Sequence, residues 1–267
     1  MWLEDMFGTK KPIIATVHLK AFPTDPKYDP EGGIDKIYYD AKKDIEAYQN
    51  GGVDGLLFCN EYSIPYTKNV NSAVIASYAA VVGRLLDVIK VPFGIACAFT
   101  EKGVFDVATA TGAKFVRSHH HGANAGVYGI NDYDPGDIER YKHYVGCGDV
   151  KWFTAVNQEG TKQIAERPVE DVVKTLTFNL APDGLLIYSS TPGSSIDIDL
   201  LKKVKSVTDT PVLASNGVKI ETVKEVLTYS DGCIVATGLK YDGNFYNPVD
   251  PDRVKALVAN ANVVRGK

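Results

Sequence analysis

Eight short runs of apolar and β-branched residues, each followed by turn residues and then by a longer stretch of helical spacing, constrain this chain more than any other feature. The runs cover residues 13–18, 55–60, 93–99, 115–119, 150–156, 184–189, 212–215 and 233–237. They are nearly continuous rather than alternating, which suits parallel strands buried on both faces beneath helices. After the first run, Ile34, Ile37, Tyr38, Ala41, Ile45 and Tyr48 recur at intervals of three and four. This predicts a helix over 33–49, stopped by Asn50, Gly51 and Gly52. Pro168 suits a first helical turn, and segments 199–207, 221–227 and 252–258 continue the alternation. Strand and helix in regular order imply right-handed crossovers and a parallel sheet.

An internal echo favours closure of that sheet. Asp54-Gly55-Leu56-Leu57-Phe58 returns as Asp183-Gly184-Leu185-Leu186-Ile187 and, more loosely, as Asp231-Gly232-Cys233-Ile234-Val235. Each copy would open a strand, and the first two stand four units apart, as two half-barrels require. Eight units without a Gly-rich dinucleotide fingerprint argue against a doubly wound open sheet. The expectation is an α/β protein, a single (β/α)8 TIM barrel over residues 1–267. A chain of 267 residues, 45% of them apolar, can bury one core of that size.

Composition narrows the partners. A net charge of -4, with no long basic run, offers no electrostatic footprint for nucleic acid. Residues 1–10 lack the pattern of a signal peptide, and no run reaches the roughly 18 apolar residues of an integral membrane segment. The chain therefore reads as cytoplasmic. Cys59, Cys97, Cys147 and Cys233 form no C-x-x-C pair and read as buried thiols.

In a barrel of this kind the site is built from residues just after each strand. After the seventh and eighth runs, Ser215-Asn216-Gly217 and Thr237-Gly238-Leu239-Lys240 place small residues whose backbone N–H groups can face an anion, with Lys240 adding charge. Ser189, Thr191 and Gly193, after the sixth run, can extend that cradle. His18 follows the first run and is the acid/base candidate, because imidazole titrates near neutral pH. Arg117 interrupts an apolar run, where a guanidinium must meet a carboxylate or a bound anion; Glu61, beside Asn60, is the candidate carboxylate. His119, His120 and His121 cannot all face one way on a strand, but His119 shares Arg117's face. A divalent metal held by these imidazoles with His18, Glu61 or Asn60 is a further possibility, and no other cofactor is assigned. The proline-rich segment 19–32 follows the first strand on the same face and can serve as a lid.

Several segments together resemble the BtpA/SgcQ family: Lys11-Pro12-Ile13-Ile14-Ala15-Thr16-Val17-His18-Leu19, Asp54 to Phe58, Thr111 to Arg117, and the closing stretch Gly238 to Asp250 with Asn247-Pro248-Val249-Asp250. The resemblance spans nearly the whole chain and implies a barrel of the phosphate-binding type. It carries over His18, Asn60, Arg117 and His121. Some members are linked to photosystem I biogenesis, and SgcQ-like members look like parts of sugar-utilisation gene sets. A nucleoside triphosphatase label attached to the latter finds no Walker-type loop here. The chain departs from the family pattern at Cys59, at Gly94 to Phe99 and at Asn157-Gln158.

The resulting expectation is an enzyme that isomerises, epimerises or cleaves a small phosphorylated sugar or related anionic metabolite, with a homo-oligomer left open. A non-catalytic assembly factor and a metal-dependent hydrolase are the alternatives.

Overall fold

The computed structural model describes residues 2–98, 100–119, 121–191 and 193–267. The first half of the chain runs α1 (Trp2–Phe7), β1 (Ile13–His18), α2 (Gly33–Asn50), β2 (Gly55–Cys59), α3 (Ser72–Leu85), β3 (Phe93–Ala96), α4 (Gly103–Thr111) and β4 (Phe115–Ser118). It continues through β5 (Ala123–Gly126), β6 (Gly129–Asp132), α5 (Pro135–Tyr144), β7 (Lys151–Ala155), β8 (Thr161–Gln163), α6 (Val169–Asn179) and β9 (Gly184–Ile187). The last part holds α7 (Ile198–Lys205), β10 (Val212–Ala214), α8 (Val223–Tyr229), β11 (Gly232–Val235) and α9 (Pro251–Arg265).

Eight parallel strands close into a barrel in the order β1-β2-β3-β4-β7-β9-β10-β11. Each corresponds to one of the eight apolar runs. All but the first strand end one to three residues before their runs do, and two of these ends have a visible cause. β3 stops at Ala96 because the Asn60 side chain captures the Ala98 N–H at 2.8 Å, drawing the chain out of the ladder. β4 stops at Ser118, and the chain turns sharply as the His121 N–H reaches the His119 carbonyl. Phe99 and His120 lie outside the described residues.

Inward-facing Ile14, Leu57, Phe115, Phe153, Leu186, Leu213 and Ile234 fill the barrel, while alternate residues pack against the helices. Glycines inside the ring make room for its two phenylalanines. A Cβ on Gly94 would stand 2.3 Å from the Phe115 ring, and one on Gly184 2.3 Å from Phe153. Helix α1, with no counterpart in the sequence expectation, closes the N-terminal end. Its Trp2 ring lies 5.5 Å from Phe153 and its Phe7 ring 5.7 Å from Phe115.

The repeated Asp-Gly has a local cause at that same end. Asp54 accepts the N–H of Ile13 at 2.7 Å, Asp183 that of Trp152 at 2.9 Å, and Asp231 that of Val212 at 2.8 Å. Each carboxylate thus satisfies a backbone donor at the start of a neighbouring strand. Each also meets a cation: Arg265, Lys151 and Lys205 respectively. These repeats therefore stabilise the face opposite the one where a barrel does its chemistry.

Two features lie above the other face. Residues 19–32 contain no helix, and buried Phe22 anchors the segment by stacking on Tyr78 at 5.4 Å. Strands β5, β6 and β8 form a small antiparallel sheet from the loops after β4 and β7. It meets the loop after β2 through the Tyr66 and Tyr128 rings, 5.9 Å apart, and through Lys68, which donates to the Ile130 carbonyl.

Candidate active site

The register of the barrel places the end of β1 beside the end of β2, and so on around the ring. His18 pairs with Cys59, Cys59 with Ala96, and Ala96 with Arg117, so these four positions share one level. Inward alternation brings His18, Cys59 and Arg117 to the interior at the C-terminal end. Tyr188, after β9, belongs to the same interior cluster.

Arg117 donates through Nη2 to Glu61 Oε1 at 3.2 Å and to Cys59 Sγ at 3.4 Å. The Tyr66 hydroxyl donates to the other Glu61 oxygen at 2.7 Å. The carboxylate partner expected for Arg117 is therefore present. Burial alone would raise the Glu61 carboxyl, but His18, Arg117 and the Tyr66 hydroxyl outweigh it and hold Glu61 below the ordinary carboxylate range. Burial likewise opposes charge on Arg117, and the ion pair with Glu61 keeps it cationic.

His18 does not titrate near neutral pH in the folded protein. Burial pushes its imidazole down to about 3; Glu61 opposes this, and Lys240, Arg117 and Lys20 add to it. At neutral pH it is uncharged. Its Nδ1 is buried without a hydrogen-bond partner, and the Phe245 ring covers it at a centroid distance of 5.1 Å. Phe245 belongs to a strap between β11 and α9 whose carbonyl accepts from Lys240 Nζ at 2.7 Å and from the Tyr62 hydroxyl at 3.1 Å. Lys240 is thus buried beneath the strap, 2% exposed, and is not a surface charge. Burial lowers its ammonium to about 8, with Asp44 opposing.

The remaining candidates fall into two groups. Asn60 holds the loop after β3, and His121 bonds through Nε2 to the Ala155 carbonyl; both are structural ties at the rim. The His119 ring lies 5.0 Å from that of Tyr188. Across the mouth, the Asn216 side chain links three loops, accepting from the Ser189 N–H and donating to Glu159. Ser189 Oγ donates to the Thr191 carbonyl, and Gly193 takes φ 80° in the same turn. At Gly217, φ is 68° and a Cβ would stand 2.4 Å from the Ser194 carbonyl oxygen, so only glycine lets these loops meet. Among the described residues, the N–H groups of Asn216 and Gly217 find no acceptor. Thr237 and Gly238 lie in a single 3-10 turn alongside. The Ser215 hydroxyl does not join them but sits inside the barrel, 3% exposed, near Tyr188.

Among the described residues no three His, Cys, Asp or Glu side chains group as metal ligands. Glu61, the one carboxylate in the proposed set, is already committed to Arg117 and Tyr66. Three residues escaped the sequence reading. Tyr188 was hidden inside an apolar run. Tyr66 and Glu159 stand in loops whose path periodicity does not reveal. Burial raises the Glu159 carboxyl, with the Asn216 hydrogen bond opposing.

Comparison with known proteins agrees with this architecture. Over 265 residues the chain is 39% identical to SgcQ of Escherichia coli (strain K12), covering 99% of each protein. It is 26% identical over 262 residues to the photosystem I biogenesis protein BtpA of Synechocystis sp., covering 97% of this chain and 90% of that one. Among solved structures, the thiamine phosphate pyrophosphorylase of Pyrococcus furiosus superposes with a TM-score of 0.59 at 15% identity, covering 98% of both chains. The N-acetylmannosamine-6-phosphate 2-epimerase of Clostridium perfringens superposes with a TM-score of 0.58 at 12% identity, covering 88% of this chain and 90% of that one. These two likenesses speak for the barrel fold. The BtpA family model matches residues 9–263, and the chain belongs to the BtpA family.

Proposed function

We propose that this protein is an enzyme that isomerises, epimerises or cleaves a small phosphorylated sugar or related anionic metabolite. The observation that carries the reading is the buried Glu61–Arg117 pair next to His18 at the C-terminal end of a closed barrel, where a permanent cation faces the place a substrate would occupy. The unspent N–H groups of Asn216 and Gly217, with Thr237 and Gly238 beside them, are the proposed phosphate cradle. Lys240 contributes from behind the strap through its field. The solved neighbours named above carry phosphorylated compounds in their names, which accords with this assignment.

His18 is assigned acid/base work, with one condition imposed by its surroundings. Its neutral state in the free protein reflects burial and three nearby cations. An anionic substrate offsets those cations and raises the imidazole toward the range in which it exchanges protons. Arg117 then stabilises negative charge developing on a carbonyl oxygen by preorganised attraction. Turnover is to be sought with a panel of phosphorylated sugars, comparing wild type with His18→Ala after confirming equal folding by circular dichroism. The expected result is a loss of about 100-fold or more in kcat for whichever substrate is turned over. Unchanged turnover in the variant would remove His18 from the chemistry.

A further inference from the structure

Two hydroxyls stand inside the barrel that the reading above does not use. Tyr188 and Ser215 are 4% and 3% exposed, and they lie near each other after β9 and β10. Neither Tyr188 Oη nor Ser215 Oγ makes a hydrogen bond of proper distance and angle with a described residue. Buried hydroxyls without partners are uncommon in folded proteins, because each forfeits the bonds it had in water. The unused donors are not scattered. The Tyr188 ring packs 5.0 Å from that of His119, two residues beyond Arg117, and the unpartnered His18 Nδ1 is buried at the same end of the barrel.

The inventory of this space is lopsided. Arg117, Tyr188 and Ser215 all offer N–H or O–H groups, and neutral His18 can offer one more. The two carboxylates nearby are already engaged, Glu61 by Arg117 and Tyr66 and Glu159 by the Asn216 side chain. A pocket rich in donors with its acceptors already committed is complementary to oxygen that carries negative charge.

We infer that Tyr188 and Ser215, opposite Arg117, form an inner oxyanion subsite that receives a carboxylate or the oxygen of an enediolate. Resting on the proposed function, this narrows the substrate class to compounds with phosphate at one end and a carbonyl or carboxylate group at the other. Tyr188 is then a binding residue of the reacting end, and Ser215 is moved there from the phosphate cradle.

The test is calorimetric titration of wild type and Tyr188→Phe with three probes: inorganic phosphate, 2-phosphoglycolate and glycolate. Tyr188→Phe deletes one oxygen and keeps the ring, so packing against His119 is retained. For wild type the expected result is 2-phosphoglycolate binding at least tenfold more tightly than phosphate. The variant should lose most of that advantage while keeping its phosphate affinity. An advantage that is absent, or that survives intact in Tyr188→Phe, overturns the subsite even though phosphate still binds. Glycolate binding that weakens in the variant, with no phosphate binding by either protein, would keep the subsite and overturn the phosphate reading. No binding of any probe overturns both. Ser215→Ala, measured alongside, guards against a folding defect peculiar to one variant and is expected to show the same selective loss.

Discussion

Arg117 reaches from the end of β4 to Glu61 beyond the end of β2, 3.2 Å away, and so ties two strands together across the intervening β3. Both side chains are largely buried. Removing one partner from such a pair strands the other charge in a poor solvent. Glu61→Gln is accordingly expected to cost about 3–5 kcal/mol of stability. Replacing both, as Glu61→Leu with Arg117→Met, should cost markedly less, because no orphan charge remains. Urea unfolding of the two variants checks this; equal losses would mean that the pair is not a desolvated one.

The His18 environment makes a prediction about acid. In the unfolded chain the imidazole takes up its proton below its ordinary value of 6.5, whereas in the folded protein it resists until about 3. The folded pKa is depressed, so the unfolded state binds more protons in this window and stability falls as pH drops from 6.5 toward 3. His18 contributes a slope of up to about 1.4 kcal/mol per pH unit. Because other buried groups titrate too, the informative quantity is the difference between wild type and His18→Gln. Unfolding free energies measured between pH 6.5 and 5 should show a steeper decline for wild type, and parallel lines would contradict the assignment.

The interior packing is tested at Gly184. A methyl group there would overlap the Phe153 ring, 2.3 Å away. Overpacking of a closed interior typically costs about 1–3 kcal/mol, and Gly184→Ala is expected to lose that much. Combining it with Phe153→Leu should give a smaller total loss than the two single losses added together, since the smaller side chain vacates the contested space. Denaturant unfolding of the four proteins gives the coupling.

The strap over His18 is held by two donors to one carbonyl, that of Phe245. Tyr62→Phe removes one of them while retaining the ring packed against Phe245 at 4.9 Å. A lost hydrogen bond of about 1 kcal/mol corresponds to roughly fivefold faster local opening. Hydrogen exchange of residues 241–248 is expected to accelerate by about that factor, with the barrel strands unaffected.

What could be read from the amino-acid order was whatever the barrel demands at regular intervals. Strands buried on both faces must be apolar along their length, and the Asp-Gly pairs recur because three strand starts pose the same backbone problem. The small sheet of β5, β6 and β8 left no such trace. Its segments are short, and neither Thr161-Lys162-Gln163 nor Gly129-Ile130-Asn131-Asp132 has an apolar buried face, the one buried residue of the two being the polar Asn131. They pair only because two loops meet above the barrel. The site was legible where it sits directly on strand ends, as with His18 and Arg117. Lys240 can be placed after the eighth run from the sequence, but its path beneath the strap depends on Phe245 and Tyr62, which periodicity cannot bring together. The lowered imidazole of His18 is invisible in the sequence for the same reason, since burial and neighbouring cations exist only after folding.

The phosphate cradle is the central claim, and binding calorimetry with sugar phosphates and their unphosphorylated parents tests it most directly. The account predicts that at least one phosphorylated compound binds wild type, that its parent sugar binds far more weakly, and that Gly217→Ala abolishes the difference by forcing the loop away from Ser194. Affinity that is indifferent to the phosphate group, or a Gly217→Ala protein that is folded and binds the phosphorylated compound as wild type does, would contradict it.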